Sequence, residues 1–164
     1  GRLQTFIGDQ GERLDVAAQV AALPPRSRAW VCGPLTLLDA MRAAWAASGR
    51  DAADLHFETF GNSGHYDAEA FWVELPRHGL RLQVPAERSL LDVLDEAGVE
   101  TLYDCRRGEC GLCAMDIVRT DGTIDHRDVF FSAAERQGNQ RLCACVSRVR
   151  GGGVVLDTAY RPDA

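Results

Sequence analysis

The sequence lacks any run of about 18 apolar residues, the minimum that predicts a membrane-spanning helix. Its first residues, GRLQTFIGDQ, do not follow the basic-then-apolar order of a secretory signal peptide. Positive charge is also scarce, since 18 Lys and Arg oppose 24 Asp and Glu for a formal net charge of −6. These absences predict a cytoplasmic protein with no membrane span and no nucleic-acid partner, because phosphate backbones require a basic surface.

The sequence also lacks the residue arrangements of common hydrolases, namely a Ser–His–Asp set, paired carboxylates or an HExxH motif. The segment DHRD at 125–128 combines a histidine with two aspartates, but four consecutive residues on one loop rarely form a catalytic group. We therefore expect no catalytic residue among the protein's own side chains. Any chemistry is then carried by a cofactor.

Cysteine is present but unevenly placed, with six residues of which five lie in the last 60 residues of the chain. Without an export signal, a disulfide framework is not expected. The stretch CRRGECGLC at 105–113 holds three of them. Its spacing, C-x4-C-x2-C with a further cysteine far downstream, is typical of plant-type [2Fe–2S] clusters. Only Cys110 and Cys113 fit the C-x2-C pair of a zinc site, so a structural zinc module that mediates protein interaction is the alternative.

The cluster interpretation predicts Cys105, Cys110 and Cys113 as ligands and leaves the fourth open. Cys143 and Cys145 stand two residues apart in a predicted strand, so both face the same side and the pattern does not separate them. Gly108 and Gly111 within the loop permit the unusual φ angles and the close backbone approach that wrapping a cluster requires.

Hydrophobic periodicity divides the chain into residues 1–60, a polar, glycine-rich linker at 61–70, and residues 71–164. The first part alternates predicted strands and helices: LQTFI, DVAAQVAAL, AWVC, LTLLDAMRAAWAASG and LHFETF. This order predicts part of a parallel α/β sheet.

The second part begins with a predicted hairpin, FWVEL and LRLQV, and continues with a helix, LLDVLDEAG, capped by Ser89. The cysteine loop follows, and then strands CAMDIV, RLCACVS and GVVLD, with a capping box at Ser132 and Glu135. One helix packed on a small mixed sheet is an α+β domain.

From Phe71 onward the chain resembles the C-terminal ferredoxin domain of oxygenase reductases of the phthalate dioxygenase reductase and vanillate O-demethylase reductase family. The matching residues are YDCRRGECGLC (103–113), IDHRD (124–128) and CVSR (145–148). The resemblance implies a β-grasp [2Fe–2S] ferredoxin domain and selects Cys145, which opens CVSR, as the fourth ligand. It also implies that Cys105 and Cys110 bind one iron, and Cys113 and Cys145 the other.

Residues 1–60 resemble the C-terminal half of the same family's ferredoxin-reductase-like nucleotide-binding domain, through VCGP (31–34) and LHFETFG (55–61). The resemblance implies that Cys32, Gly33 and Pro34 lie near the nicotinamide and that Phe60 lies against the flavin. The sequence contains neither the flavin-binding domain nor the glycine-rich phosphate loop. We therefore expect a flavin domain upstream in the same polypeptide and no flavin binding by this chain alone.

The implied function of the whole protein is that of an NADH-dependent oxygenase reductase. Electrons would pass from NADH through FMN or FAD and the [2Fe–2S] cluster to a terminal oxygenase. The partner implied by the resemblance is a Rieske-type aromatic oxygenase or demethylase, or a P450, possibly fused to the reductase.

Overall fold

The computed structural model describes residues 3–58 and 64–158. The chain divides into two compact units, Gly1–Thr59 and Phe60–Ala164. This division falls close to the predicted start of the linker. The predicted division into residues 1–60, 61–70 and 71–164 itself stays a prediction.

The first unit consists of two helices and a two-stranded sheet, α1 (Val16–Ala21), β1 (Ala29–Cys32), α2 (Leu35–Ala47) and β2 (Leu55–Glu58). The two strands pair in parallel, from Ala29 opposite Leu55 to Cys32 opposite Glu58. The α/β alternation predicted for this part is therefore confirmed from α1 to β2.

Local sequence accounts for the ends of the helices in the first unit. Asp15 accepts a hydrogen bond from the Ala18 backbone N–H and caps α1. Pro34 precedes α2 as its cap residue, and Gly49 follows it with a φ of +69°. The predicted strand LQTFI is wrong, because residues 3–7 pair with no other strand in the described chain.

The second unit is built on a five-stranded sheet in the order β4-β3-β9-β5-β7. Its strands are β3 (Phe71–Leu75), β4 (Leu80–Val84), β5 (Ala114–Thr120), β7 (Arg141–Cys143) and β9 (Gly153–Asp157). β3 and β9 run parallel, and the other neighbours are antiparallel. The mixed α+β architecture predicted for this region is confirmed.

Two helices accompany this sheet, α3 (Leu90–Glu96) and α4 (Ala133–Gly138). Ser89 caps α3 as predicted, and Ser132 with Glu135 forms the predicted capping box at α4. The apolar side of α3 is buried in the core with the sheet through Leu90, Leu91, Val93 and Leu94. α3 ends at Glu96, and the cysteine loop begins at residue 104. The packing of α3 therefore positions the chain that enters the loop.

A second sheet of two antiparallel strands, β6 (Thr123–Asp125) and β8 (Arg148–Arg150), is absent from the sequence prediction. β8 follows Cys145 closely, and β6 leads into the DHRD segment. Within the described residues, no helix is long and apolar enough to cross a membrane.

Candidate metal centre

The loop at 104–113 bends back on itself so that several backbone N–H groups point at one sulfur. Cys105 Sγ accepts hydrogen bonds from the backbone N–H groups of Arg107, Glu109 and Cys110, each at 3.4 Å. Burial opposes ionisation of Cys105, but these three donors and the Cys110 thiol prevail and lower the pKa of the Cys105 thiol. A sulfur so surrounded is stabilised as the thiolate that binds metals.

Two glycines allow the loop to take this path. Gly108 and Gly111 both have a φ of +73°, in the left-handed region that favours glycine. A Cβ at Gly108 would lie 2.7 Å from Val146 Cγ2 and 2.8 Å from Asp128 Cα, and one at Gly111 would overlap the Phe130 ring. The close backbone approach expected of both glycines is therefore present.

A second group of thiols lies deeper than the first. Cys105 and Cys110 are partly exposed, whereas Cys113, Cys143 and Cys145 are buried. Hydrogen bonds from the Cys143 and then the Cys145 thiol outweigh burial and lower the pKa of Cys113 to about 3. The same contacts with Cys113, together with burial, raise the pKa of Cys143 and Cys145.

The structure corrects the prediction that the two candidates for the fourth ligand, Cys143 and Cys145, stand in one strand. The predicted strand RLCACVS is wrong beyond Cys143, where β7 ends. The chain then turns, with the Val146 and Ser147 N–H groups both donating to the Cys143 carbonyl. Cys143 and Cys145 therefore do not belong to one strand, although both thiols reach Cys113.

The segment after β6 is hydrogen-bonded to the cysteine loop. The backbone N–H groups of Val129 and Phe130 donate to the Gly108 carbonyl at 3.0 and 3.2 Å. Asp128 is fully buried, and its Oδ2 accepts from the Phe131 N–H at 2.9 Å. The two backbone bonds hold the Gly108 carbonyl in place. The bond to Asp128 stabilises the conformation of the segment that makes those two bonds.

The residues predicted near the nicotinamide lie in the first unit. Cys32 is the exposed last residue of β1, and Gly33 and Pro34 lead directly into α2. This junction at the carboxyl end of a parallel strand is where α/β sheets commonly bind ligands. Phe60, predicted to contact the flavin, lies outside the described residues.

The donor set matches what a two-iron cluster requires. Cys105 and Cys110 form one close pair, and Cys113 forms another with Cys143 or Cys145. Within residues 3–58 and 64–158, no three or more His, Cys, Asp and Glu side chains are arranged to hold a metal ion. A [2Fe–2S] cluster binds through two thiolates on each iron, with sulfide completing the coordination. The residues present fit such a cluster.

Comparison with known proteins defines the class of this region. Residues 73–150 match the family described as the 2Fe-2S iron-sulfur cluster binding domain. This match favours an iron–sulfur cluster over the structural zinc module. The second unit is therefore a [2Fe–2S] ferredoxin domain.

The whole chain resembles reductase components of oxygenase systems. It is 38% identical over 150 residues to the carnitine monooxygenase reductase subunit of Escherichia coli, covering 90% of this chain and 45% of that protein. It is 34% identical over 152 residues to the vanillate O-demethylase oxidoreductase of a Pseudomonas species, covering 92% and 47%. The solved structure of phthalate dioxygenase reductase matches with a TM-score of 0.58 and 31% identity, covering 92% and 46%.

Over about nine-tenths of its length the chain is similar to oxygenase reductases such as phthalate dioxygenase reductase and vanillate O-demethylase oxidoreductase. It spans about half the length of the curated relatives it matches. The resemblance predicted from the sequence is confirmed, together with the combination of a reductase-like unit and a [2Fe–2S] domain.

Three buried charged residues beside the site were given no role in the sequence analysis. These are Asp125, Arg127 and Arg148. Their positions in the segments IDHRD and CVSR, which adjoin the site, could have indicated a role. Charge alone predicts a solvated side chain, so only the fold shows that these residues are interior.

Proposed function

We propose that this chain is the electron-transferring portion of an NADH-dependent oxygenase reductase, with a [2Fe–2S] cluster held by Cys105, Cys110, Cys113 and Cys145. When bound, a plant-type cluster accepts and releases one electron at a potential of roughly −400 mV. The observation that carries the proposal is the convergence of three backbone N–H groups on Cys105 Sγ beside the Cys110 thiol.

The proposal assigns the outer pair, Cys105 and Cys110, to one iron and the inner pair, Cys113 and Cys145, to the other. The difference in burial between the pairs supports the outer pair as the side that faces an electron acceptor. Cys143 contacts Cys113 as Cys145 does, so the choice of Cys145 rests on its position in the family segment CVSR.

In the whole protein, we propose that a flavin domain upstream in the same polypeptide receives hydride from NADH through FMN or FAD. Cys32, Gly33 and Pro34 would contact the nicotinamide, and Phe60 the flavin. The names of the relatives support a terminal oxygenase as the electron acceptor. Both a Rieske-type oxygenase and a P450, separate or fused, agree with this role, and a cytoplasmic location stays a prediction from the sequence.

The test is an ultraviolet–visible spectrum of the purified chain before and after dithionite, followed by low-temperature EPR of the reduced sample. We expect a red-brown protein that bleaches on reduction and then gives a rhombic EPR signal. A colourless protein with stoichiometric zinc would contradict the proposal, provided that anaerobic reconstitution with iron and sulfide also fails.

A further inference from the structure

Residues 64–69, called the strap below, form neither helix nor strand, yet they are bound to the ferredoxin domain. The His65 backbone N–H donates to Asp125 Oδ1 at 3.2 Å, and Arg127 Nη2 donates to the Tyr66 carbonyl at 2.9 Å. The Arg150 guanidinium lies 4.8 Å from the centre of the Tyr66 ring. The strap is therefore held at two consecutive residues, His65 and Tyr66.

Arg148 holds the far end of the strap. Its Nη2 donates to the Glu69 carbonyl at 3.0 Å and to the Pro85 carbonyl at 2.7 Å, and its Nη1 donates to the Arg88 carbonyl at 2.6 Å. Burial, and then the nearby charge of Arg127, lower the pKa of Arg148. A buried guanidinium that binds three carbonyls fixes the backbone of Glu69, Pro85 and Arg88 relative to one another.

Arg127 and Asp125 form the second holding point. Arg127 Nε lies 2.7 Å from Asp125 Oδ2, with the two side chains 8% and 2% exposed. Gly64 passes so close that an added Cβ would overlap Arg127 Nε and lie 2.5 Å from Asp125 Oδ2. The strap thus packs directly on a buried ion pair, and any side chain at 64 would displace it or break the pair.

The strap passes beside the proposed fourth ligand. A cavity of about 260 Å³ is lined by Ala68 of the strap and by Arg127, Arg148, Cys145 and Val146, among others. Arg127 and Arg148 therefore contact the strap and line the same cavity as Cys145. Two buried cations are costly unless they are fully bonded, which makes the bonds to the strap important for keeping them in place.

We propose that Arg127 and Arg148 are positioning residues that hold the strap as the wall of the Cys145 side of the cluster and so limit water access to it. The proposal rests on the ligand role of Cys145 given above. Solvent exposure is one of the factors that set the potential of an iron–sulfur cluster. Release of the strap should therefore change the reduction potential of the cluster and its resistance to a chelator.

The test uses the cluster-loaded chain and the substitution Gly64→Ala, which displaces the strap or breaks the Asp125–Arg127 pair without removing a charge. The matched control is Gly138→Ala, where the nearest atom to an added Cβ is Gln140 Cγ at 3.8 Å. We expect hydrogen exchange of the His65 amide, which is bonded to Asp125, and loss of cluster absorbance in a chelator each to speed up about tenfold or more, because both rates follow the fraction of chains in which the strap is released. The reduction potential should rise, because water stabilises the more negative reduced cluster.

Arg148→Lys provides a second variant that keeps the charge but cannot reach three carbonyls from a fork of donors. It should show the same three changes as Gly64→Ala. Unchanged exchange of the strap in both variants would overturn the holding role. A released strap with wild-type chelator resistance and potential would overturn the role as a wall.

Failure of the proposed function gives a different result. If the chain binds no [2Fe–2S] cluster, or if Cys145→Ser retains one, the proposed role of the strap at the cluster is refuted, whatever the exchange data show. Hydrogen exchange in the cluster-free chain would then decide only whether Arg127 and Arg148 hold the strap.

Discussion

The two units of this chain differ in how completely they bury their apolar residues. Among the described residues of the first unit, the buried apolar side chains are Val20, Val31, Leu35, Leu38 and Trp45. Trp30 on β1 is 71% exposed, and the last two residues of β2 are exposed as well. In the second unit the core includes residues of all five strands of the main sheet, of β6 and β8, and of α3.

This contrast shows where a preorganised site can be expected. The cysteine loop lies between α3 and β5, both anchored in the larger core, and Cys113, Cys143 and Cys145 are themselves part of that core. The Cys32–Pro34 junction rests on a two-stranded sheet and one helix. A rigid surrounding holds ligands in place, so the second unit is suited to bind a cluster on its own.

The first prediction tests whether the two buried cysteines next to Cys113 have different roles. Cys145→Ser should deplete the cluster strongly, because it leaves one iron without a thiolate, whereas Cys143→Ser should retain it. The measurement is iron and sulfide content per chain together with visible absorbance. Near wild-type iron content in Cys145→Ser would refute the assignment, and depletion only in Cys143→Ser would transfer the role to Cys143.

The second prediction tests whether the larger core supports the site. Leu94 on α3 is fully buried, and Leu94→Ala should lower the free energy of unfolding of the ferredoxin domain by about 2–5 kcal/mol. Urea unfolding followed by cluster absorbance measures this. Leu38→Ala, an equivalent truncation in the first unit, is the control and should leave the absorbance midpoint unchanged. Equal shifts in both variants would show that the two units unfold together.

The third prediction separates backbone strain from lack of space in the cysteine loop. An alanine at either Gly111 or Gly79 must adopt a positive φ, at a cost of about 1–2 kcal/mol. At Gly111 the methyl group also overlaps Phe130, whereas at Gly79 nothing lies within 4 Å. Gly111→Ala should therefore impair cluster assembly and Gly79→Ala should not, as measured by reconstitution with iron and sulfide. Equal yields would mean that the loop adapts.

The smallest expected effect concerns an exposed ion pair between Arg88, which precedes α3, and Glu96, the last residue of α3. A hydrogen bond from Arg88 holds the pKa of Glu96 below its ordinary value of 4.5, against the opposing effect of burial. A lowered folded-state pKa contributes stability that is present above pH 4.5 and is lost as the pH falls through the folded value.

The Glu96→Gln variant checks this pH dependence by urea unfolding. It should be slightly less stable than wild type at pH 7, and the difference should shrink below pH 4.5 and disappear below the lowered folded-state pKa of Glu96. High salt should reduce the difference at pH 7, because exposed pairs are screened. A difference that persists at low pH would show that Glu96 acts through packing instead.

Local patterns predicted the elements that depend on nearby residues. Ser89, Ser132 and Glu135 cap their helices through bonds that span three residues. The alternation in FWVEL and LRLQV predicted β3 and β4, which pair directly across a short connection. These contacts join residues that are close in the sequence, so they can be predicted without a structure.

The errors have a different cause. LQTFI has the composition of a strand, but a strand exists only where another strand pairs with it. The pattern of RLCACVS predicts one strand. The chain instead turns after Cys143 and brings Ala144 into hydrogen bonds with Cys113 and Leu91. Whether apolar residues form a strand or a buried turn depends on these distant partners.

The sequence by itself determined the spacing of Cys105, Cys110 and Cys113, the two glycines that let the loop wrap, and the resemblance to oxygenase reductases. Tertiary structure alone decided that both Cys143 and Cys145 reach Cys113, and that Arg127 and Arg148 are buried against residues about 60–80 positions earlier in the chain. The reason is physical: ligand spacing within a loop is a local property, whereas burial of a charge depends on which distant carbonyls the fold brings to it.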